Sequence, residues 1–209
     1  MSPKTTSASH LPTTLRSATH PILLRTLSPS DAPAVSAVLS DPDNTRHDPH
    51  ASAISPEVAV KVVERMRESA GVPSVLDAET GKVVSGPGRV NLVVVYLDTD
   101  AEDSDGRVIG FGGFGGINET EGKVRVGDVG VMIDKEFRGR GFAVEAMRLA
   151  VEWAFRGVEE GGLQLDRVSA TMREENVAMV RLVEGRLGWE GVRRGGEVFF
   201  EVTEETWRK

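Results

Sequence analysis

The chain has 209 residues, 39% hydrophobic and 27% charged, with a formal net charge of −7 and no cysteine. Such a length and balance suit one domain with a sizeable core, and no apolar run approaches the roughly 18 residues a membrane span requires. The acidic balance argues against general nucleic-acid binding. The lack of cysteine removes disulfides, thiolate metal sites and any acyl-cysteine intermediate, and suits a reducing, cytoplasmic setting.

Residues 1–20 are rich in Ser and Thr, lack apolar periodicity, and are expected to form a flexible tail ahead of a single domain over 21–209. Lys4, Arg16 and Arg25, with no acidic residue before Asp31, give a weak transit-peptide pattern without its apolar face. Ile22 to Leu27 predicts a strand, and Ser30 a cap for a helix through Leu39. Ser55-Pro56-Glu57 opens a second helix with Val58, Val62 and Met66 along its apolar side. After the turn-rich stretch Gly71 to Gly88, Val90 to Leu97 and Val108 to Phe114 predict a hairpin joined by the acidic loop Asp98 to Asp105. Val124 to Ile133 predicts the next antiparallel strand. A helix from Gly141 to Phe155, a strand at Arg167 to Met172, a helix from Asn176 to Leu187 and a terminal hairpin around Gly195-Gly196 complete the chain. The order predicts an α+β (mixed α/β) fold on a mostly antiparallel sheet.

Two motifs fail on context. Gly110-Phe111-Gly112-Gly113-Phe114-Gly115 fits the dinucleotide fingerprint, but that fingerprint turns a strand into a helix, whereas Ile117 to Gly122 is turn-rich and feeds another strand. His47-Asp48-Pro49-His50 offers metal ligands, yet Pro49 breaks the helix that would align them, so a loop lining an acceptor pocket or a solvated loop is expected and no metal.

The run Arg138-Gly139-Arg140-Gly141-Phe142-Ala143 reads as an anion cradle. A strand that stops at a glycine-rich turn and restarts as a helix leaves the first backbone N–H groups without intrahelical partners, aimed at whatever lies beyond the helix N-terminus. Gly139 and Gly141 allow close approach of a ligand, and Arg138 and Arg140 add charge where the helix dipole is already positive.

In register, Arg138, Gly141 and Ala143 resemble the acyl-coenzyme-A-binding motif of the GNAT superfamily of N-acetyltransferases. Gly127 to Asp134 looks like that family's fourth strand, and Asn176 through Leu187-Gly188-Trp189 like its later helix and closing Gly-aromatic pair, nearest to the ribosomal-protein N-terminal acetyltransferase branch. The resemblance implies a sheet of about six to seven strands, splayed between the fourth and fifth. It also implies acetyl-coenzyme A with its pyrophosphate on residues 138–143, its pantetheine arm paired with Met132 and Ile133, and Asn176 nearby. Asp128 matches the family's general base, one methylene shorter, and also fits a solvated edge-strand aspartate. The family's Tyr or Ser acid is missing, because Met179 and Val183 stand at its positions, and Asn176 to Gly188 is one residue longer than usual, implying a bulge or shifted helix end. The implied activity is direct acetyl transfer to a primary amine, small molecule or peptide N-terminus, by a monomer or homodimer. A catalytically silent acyl-coenzyme-A-binding module is the alternative.

Overall fold

The computed structural model describes residues 7–47, 52–97, 106–120 and 123–208. Strands β1 (Ser7–Ala8), β2 (Thr14–Arg16) and β3 (Ile22–Thr26) precede helices α1 (Ala32–Ser40), α2 (Pro42–Thr45) and α3 (Pro56–Gly71). Next come β4 (Ser74–Leu76), β5 (Val83–Ser85), β6 (Val90–Tyr96), β7 (Arg107–Thr120), β8 (Val124–Ile133) and α4 (Phe142–Phe155). The order ends with β9 (Arg167–Arg173), α5 (Val177–Val180), β10 (Gly191–Arg194), β11 (Glu197–Val202) and α6 (Glu204–Trp207).

Eight strands form one sheet in the order β10-β11-β9-β8-β7-β6-β3-β2, and β1-β4-β5 form a small second sheet. Within the large sheet only β8 and β9 run parallel. The architecture is the expected mixed α/β, mostly antiparallel one, with one strand more than expected. That strand is β2, drawn from the stretch read as a flexible tail. Thr14–Arg16 pairs with β3, Leu15 is buried, and His10 is 1% exposed. A three-residue strand with one inward side chain carries no periodicity to detect.

The apolar run of β6 is buried on both faces. Leu92 and Val94 join the core under α4, which includes Trp153, Met147 and Val129, while Val93 and Val95 join the core under α1 and α3. Ser55 caps α3 by accepting from the Val58 N–H. The buried side of α3 is Ala59, Val63 and Ala70 with Met66 beside them, whereas Val58, expected inward, is exposed. Alanines let this helix approach α1 and β6 closely, and that approach, rather than side-chain bulk, sets its rotation.

The glycine run lies inside β7, paired with β6 and β8. A Cβ at Gly112 would collide with the Gly130 carbonyl, so close strand approach explains the glycine and no dinucleotide turn exists there. On the β9 side, β8 is paired only from Val126 to Asp128, with Arg167 to Ser169. Beyond Asp128 the two strands part, which opens the sheet beside Val129 to Ile133. No described helix is long and apolar enough to cross a membrane.

Candidate active site

The open half of β8 leads into a 3₁₀ turn, Lys135–Phe137, capped by Asp134, and then into the glycines that start α4. Gly139 and Gly141 have φ of +75° and +82°, left-handed values that disfavour any residue with a side chain. Gly141 is the N-cap, and its carbonyl accepts the first helical hydrogen bond, from the Glu145 N–H at 3.1 Å. The N–H groups of Gly141, Phe142, Ala143 and Val144 therefore precede the ladder and point out of the positive end of a 14-residue helix. They border a cleft of about 380 Å³ that Ile133, Arg138, Gly139, Gly141, Phe142 and Ala143 share with Ala178, Arg181, Leu182 and Arg186 from the opposite wall. A larger cleft, about 590 Å³, lies between Glu160, Arg156 and Trp207 and borders the C-terminal end of α4.

The side chain of Arg138 is not a spare charge for an anion, and that of Arg140 is turned back on its own turn. Asp41 at 2.7 Å, Asn44 Oδ1 at 2.8 Å, Asp43 at 3.4 Å and the Ile133 carbonyl at 3.0 Å all accept from Arg138, which ties the cradle to α2. Arg140 donates to the Glu136 carbonyl at 3.0 Å and lies over the Phe137 ring at 5.1 Å. What these residues bring to the cleft is backbone geometry. Free positive charge comes from Arg181 and Arg186, which the sequence reading missed.

Along β8 the backbone groups alternate between neighbouring strands. The Met132 carbonyl faces β7, where a Cβ on Gly110 would collide with it, so Val131 and Ile133 present their backbone to the splay. Of the expected pair, Ile133 therefore presents its backbone to the splay, whereas that of Met132 is turned to β7. Even there the Ile133 carbonyl already accepts from Arg138 and, at 3.3 Å, from Asn44.

Asp128 is exposed at the point where β8 and β9 separate, on the face away from α4, and Ser169 Oγ donates to its Oδ1 at 3.3 Å. The same face carries Phe199 and Val192, paired across β11 and β10 and exposed. Asn176 caps α5, its Oδ1 accepting from the Met179 N–H at 3.3 Å. Val183 is fully buried in the core under α4, so no proton donor stands at that position. The chain's only tyrosine, Tyr96, packs at a tilt against the rings of Phe137 and Phe142. The extra residue before Gly188 is accommodated as a π-helical stretch, Arg181–Arg186, in which the Leu187 N–H reaches the Leu182 carbonyl five residues back.

Glu145, in the first turn of α4, is buried and accepts from Ser17 and Arg148. Hydrogen bonding from Arg148, aided by Ser17 and opposed by burial, lowers its pKa to about 2 and keeps it ionised. The turn before β3 is thereby fastened to the cradle, and His20 Nε2 lies 3.0 Å from where a Cβ on Gly141 would stand. The acidic loop 98–105, and residues 48–50 of the loop expected to line an acceptor pocket or to be solvated, lie outside the described residues.

A family model described as an acetyltransferase (GNAT) domain matches residues 22–190. No curated protein matches the chain significantly. Among solved structures, a GNAT-family acetyltransferase from Bacillus anthracis superposes with a TM-score of 0.63 at 17% identity, over 92% of this chain and 99% of that one. Mycobacterium smegmatis RimJ, in complex with CoA-disulfide, gives 0.63 at 20% identity, over 100% of this chain and 91% of that one. Spermidine N-acetyltransferase from Vibrio cholerae, in complex with CoA and spermine, gives 0.64 at 15% identity, over 90% and 99%. At such identities the likeness is one of fold.

Proposed function

Because the chain belongs to the GNAT family of acetyltransferases, we propose that it transfers the acetyl group of acetyl-coenzyme A to a primary amine, a small molecule or a peptide N-terminus, by direct attack in a ternary complex. One observation carries the reading. The unpaired edge of β8 runs into the N-terminal cradle of α4, so a single groove offers backbone hydrogen bonding at one end and anion-binding donors at the other. The donor set fits a pyrophosphate followed by an amide-rich arm: N–H groups at a positive helix end, glycines that leave room, and a strand edge. A coenzyme-bound RimJ among the similar folds supports that occupant, and the spermine held by the Vibrio cholerae protein supports an amine acceptor.

The pyrophosphate lies on the N–H groups from Gly139 to Val144, and the pantetheine arm pairs with Val131 and the Ile133 N–H. A backbone N–H on that edge polarises the thioester carbonyl as charge develops on its oxygen. A protonated amine has no lone pair to attack with, so Asp128, oriented by Ser169, takes its proton directly or through water. The C–N bond then forms, the C–S bond breaks, and the second proton shed by the amine nitrogen reaches the departing thiolate through water, since Val183 stands where a side-chain acid is expected.

The buried Val183 also favours a second reading, a module that binds acyl-coenzyme A without turning it over. An assay of free thiol release against polyamines, small amines and N-terminal peptides separates the two. Turnover with at least one acceptor is expected. Coenzyme binding by calorimetry with no turnover across the panel would leave the silent module standing.

A further inference from the structure

We propose that Arg181 and Arg186 form a two-armed clamp on the coenzyme's phosphate groups, doing the electrostatic work that the motif arginine Arg138, matched by carboxylates, does not. The inference rests on acetyl-coenzyme A being the occupant of the cleft.

The first support is what the arginines next to the cradle already do. Arg138 is held by Asp41, Asp43 and Asn44, and Arg140 by the Glu136 carbonyl and the Phe137 ring. The Arg138 guanidinium is thus already matched by carboxylates, while the exposed Arg140 keeps its charge but is turned toward the Glu136 carbonyl. Arg181 and Arg186 line the same cleft from across it, are exposed, and have no hydrogen-bond or ion-pair partner among the described residues. The nearby acid Glu184 is taken up by Arg193 at 2.7 Å and does not quench them.

The second support is helix geometry. In an α-helix, residues five apart point about 140° away from each other, so two arginines at this spacing would not share a wall. In the π-helical stretch Arg181–Arg186 the backbone closes from one residue to the fifth after it, which brings residues five apart nearly over one another. The additional residue in this segment, with Gly185 weakening the α-helix at its centre, thus has a consequence in charge placement. It leaves both arginines in the wall of the cleft that contains the helix end, where four N–H groups already favour an anion. Planar forks opposite a ring of backbone donors suit phosphate oxygens, which accept from several directions.

The test is isothermal titration of the full chain with coenzyme A and with 3′-dephospho-coenzyme A, comparing the parent with Arg181→Gln, Arg186→Gln and the double variant. Each single change is expected to weaken coenzyme A binding about tenfold, the size of one charge-assisted contact at an exposed site, and the double change to flatten the salt dependence of Kd. Both side chains are exposed, so thermal unfolding is expected to stay at the parent value, which separates lost binding from lost folding. A loss that vanishes with the dephospho compound assigns the clamp to the 3′-phosphate, and one that persists assigns it to the pyrophosphate; either supports the proposal. A double variant that binds coenzyme A as tightly as the parent overturns the clamp and leaves the acetyltransferase reading intact. A parent chain that does not bind coenzyme A overturns both.

Discussion

Protonation of His10 is expected to loosen the N-terminal segment from the rest of the fold as pH falls below neutrality. The imidazole is 1% exposed, its Nε2 is 2.8 Å from Ser74 Oγ, and its ring packs edge-on against Trp153. Burial, and after it the nearby Arg125 guanidinium, lowers its pKa from 6.5 to about 4. The unfolded chain takes up the proton near 6.5 and the folded chain only near 4. Stability from this group is therefore present above 6.5 and is lost as pH falls through 4. At about 1.4 kcal/mol per pKa unit the loss amounts to about 3 kcal/mol, a large share of the roughly 5–15 kcal/mol typical of a domain. Urea unfolding of the parent and of His10→Gln at steps from pH 7.5 to 4 measures it. Gln can still bond Ser74 but does not titrate, so the variant is expected to be the less stable at pH 7.5 and to close the gap as pH falls. Groups common to both proteins cancel in the difference. Glu145, with a folded pKa of about 2, adds its own loss mainly below the window that His10 governs. A difference between parent and variant that stays constant from pH 7.5 to 4 would refute the reasoning.

Three further outcomes are expected. Asp128→Asn lowers turnover by about a hundredfold, the usual scale of a general base, with coenzyme affinity kept; full activity across neutral pH would make Asp128 structural. Gly141→Glu removes measurable coenzyme binding in calorimetry, because a side chain at φ +82° is strained, presses on His20 and sets a carboxylate against the phosphate; unchanged affinity would move the cradle elsewhere. Arg138→Gln strips Asp41 of its 2.7 Å partner and is expected to cost about 1 kcal/mol, a fall of about 2–4 °C in Tm, and an unaltered melting curve would show that the tie to α2 contributes nothing.

The anion cradle was legible in the chain because it is a local object. A strand, a positive-φ glycine turn and a helix start within a dozen residues, and the orphan N–H groups follow from helix geometry alone. The same holds for the helix opened at Ser55 and the Gly195-Gly196 hairpin. Even the π-helical stretch left a trace in sequence, as one residue too many between Asn176 and Gly188.

What the chain did not disclose is which groups meet across it. His10 and Leu15 read as tail residues because their burial comes from Ser74, Trp153 and β3, none of them near in sequence. Val58 looked inward by periodicity, yet small residues on α3 let it turn Ala59 and Val63 toward the core instead. Arg138 looked like phosphate-binding charge until packing set Asp41, 97 residues away, beside it. The chain's local conformation is set by steric and hydrogen-bonding preferences that act over a few residues. The assignment of charge to the cleft, taken from Arg138 and left to Arg181 and Arg186, depends on which ion pairs the folded geometry permits, and that geometry exists only once helices and strands far apart in the chain have packed.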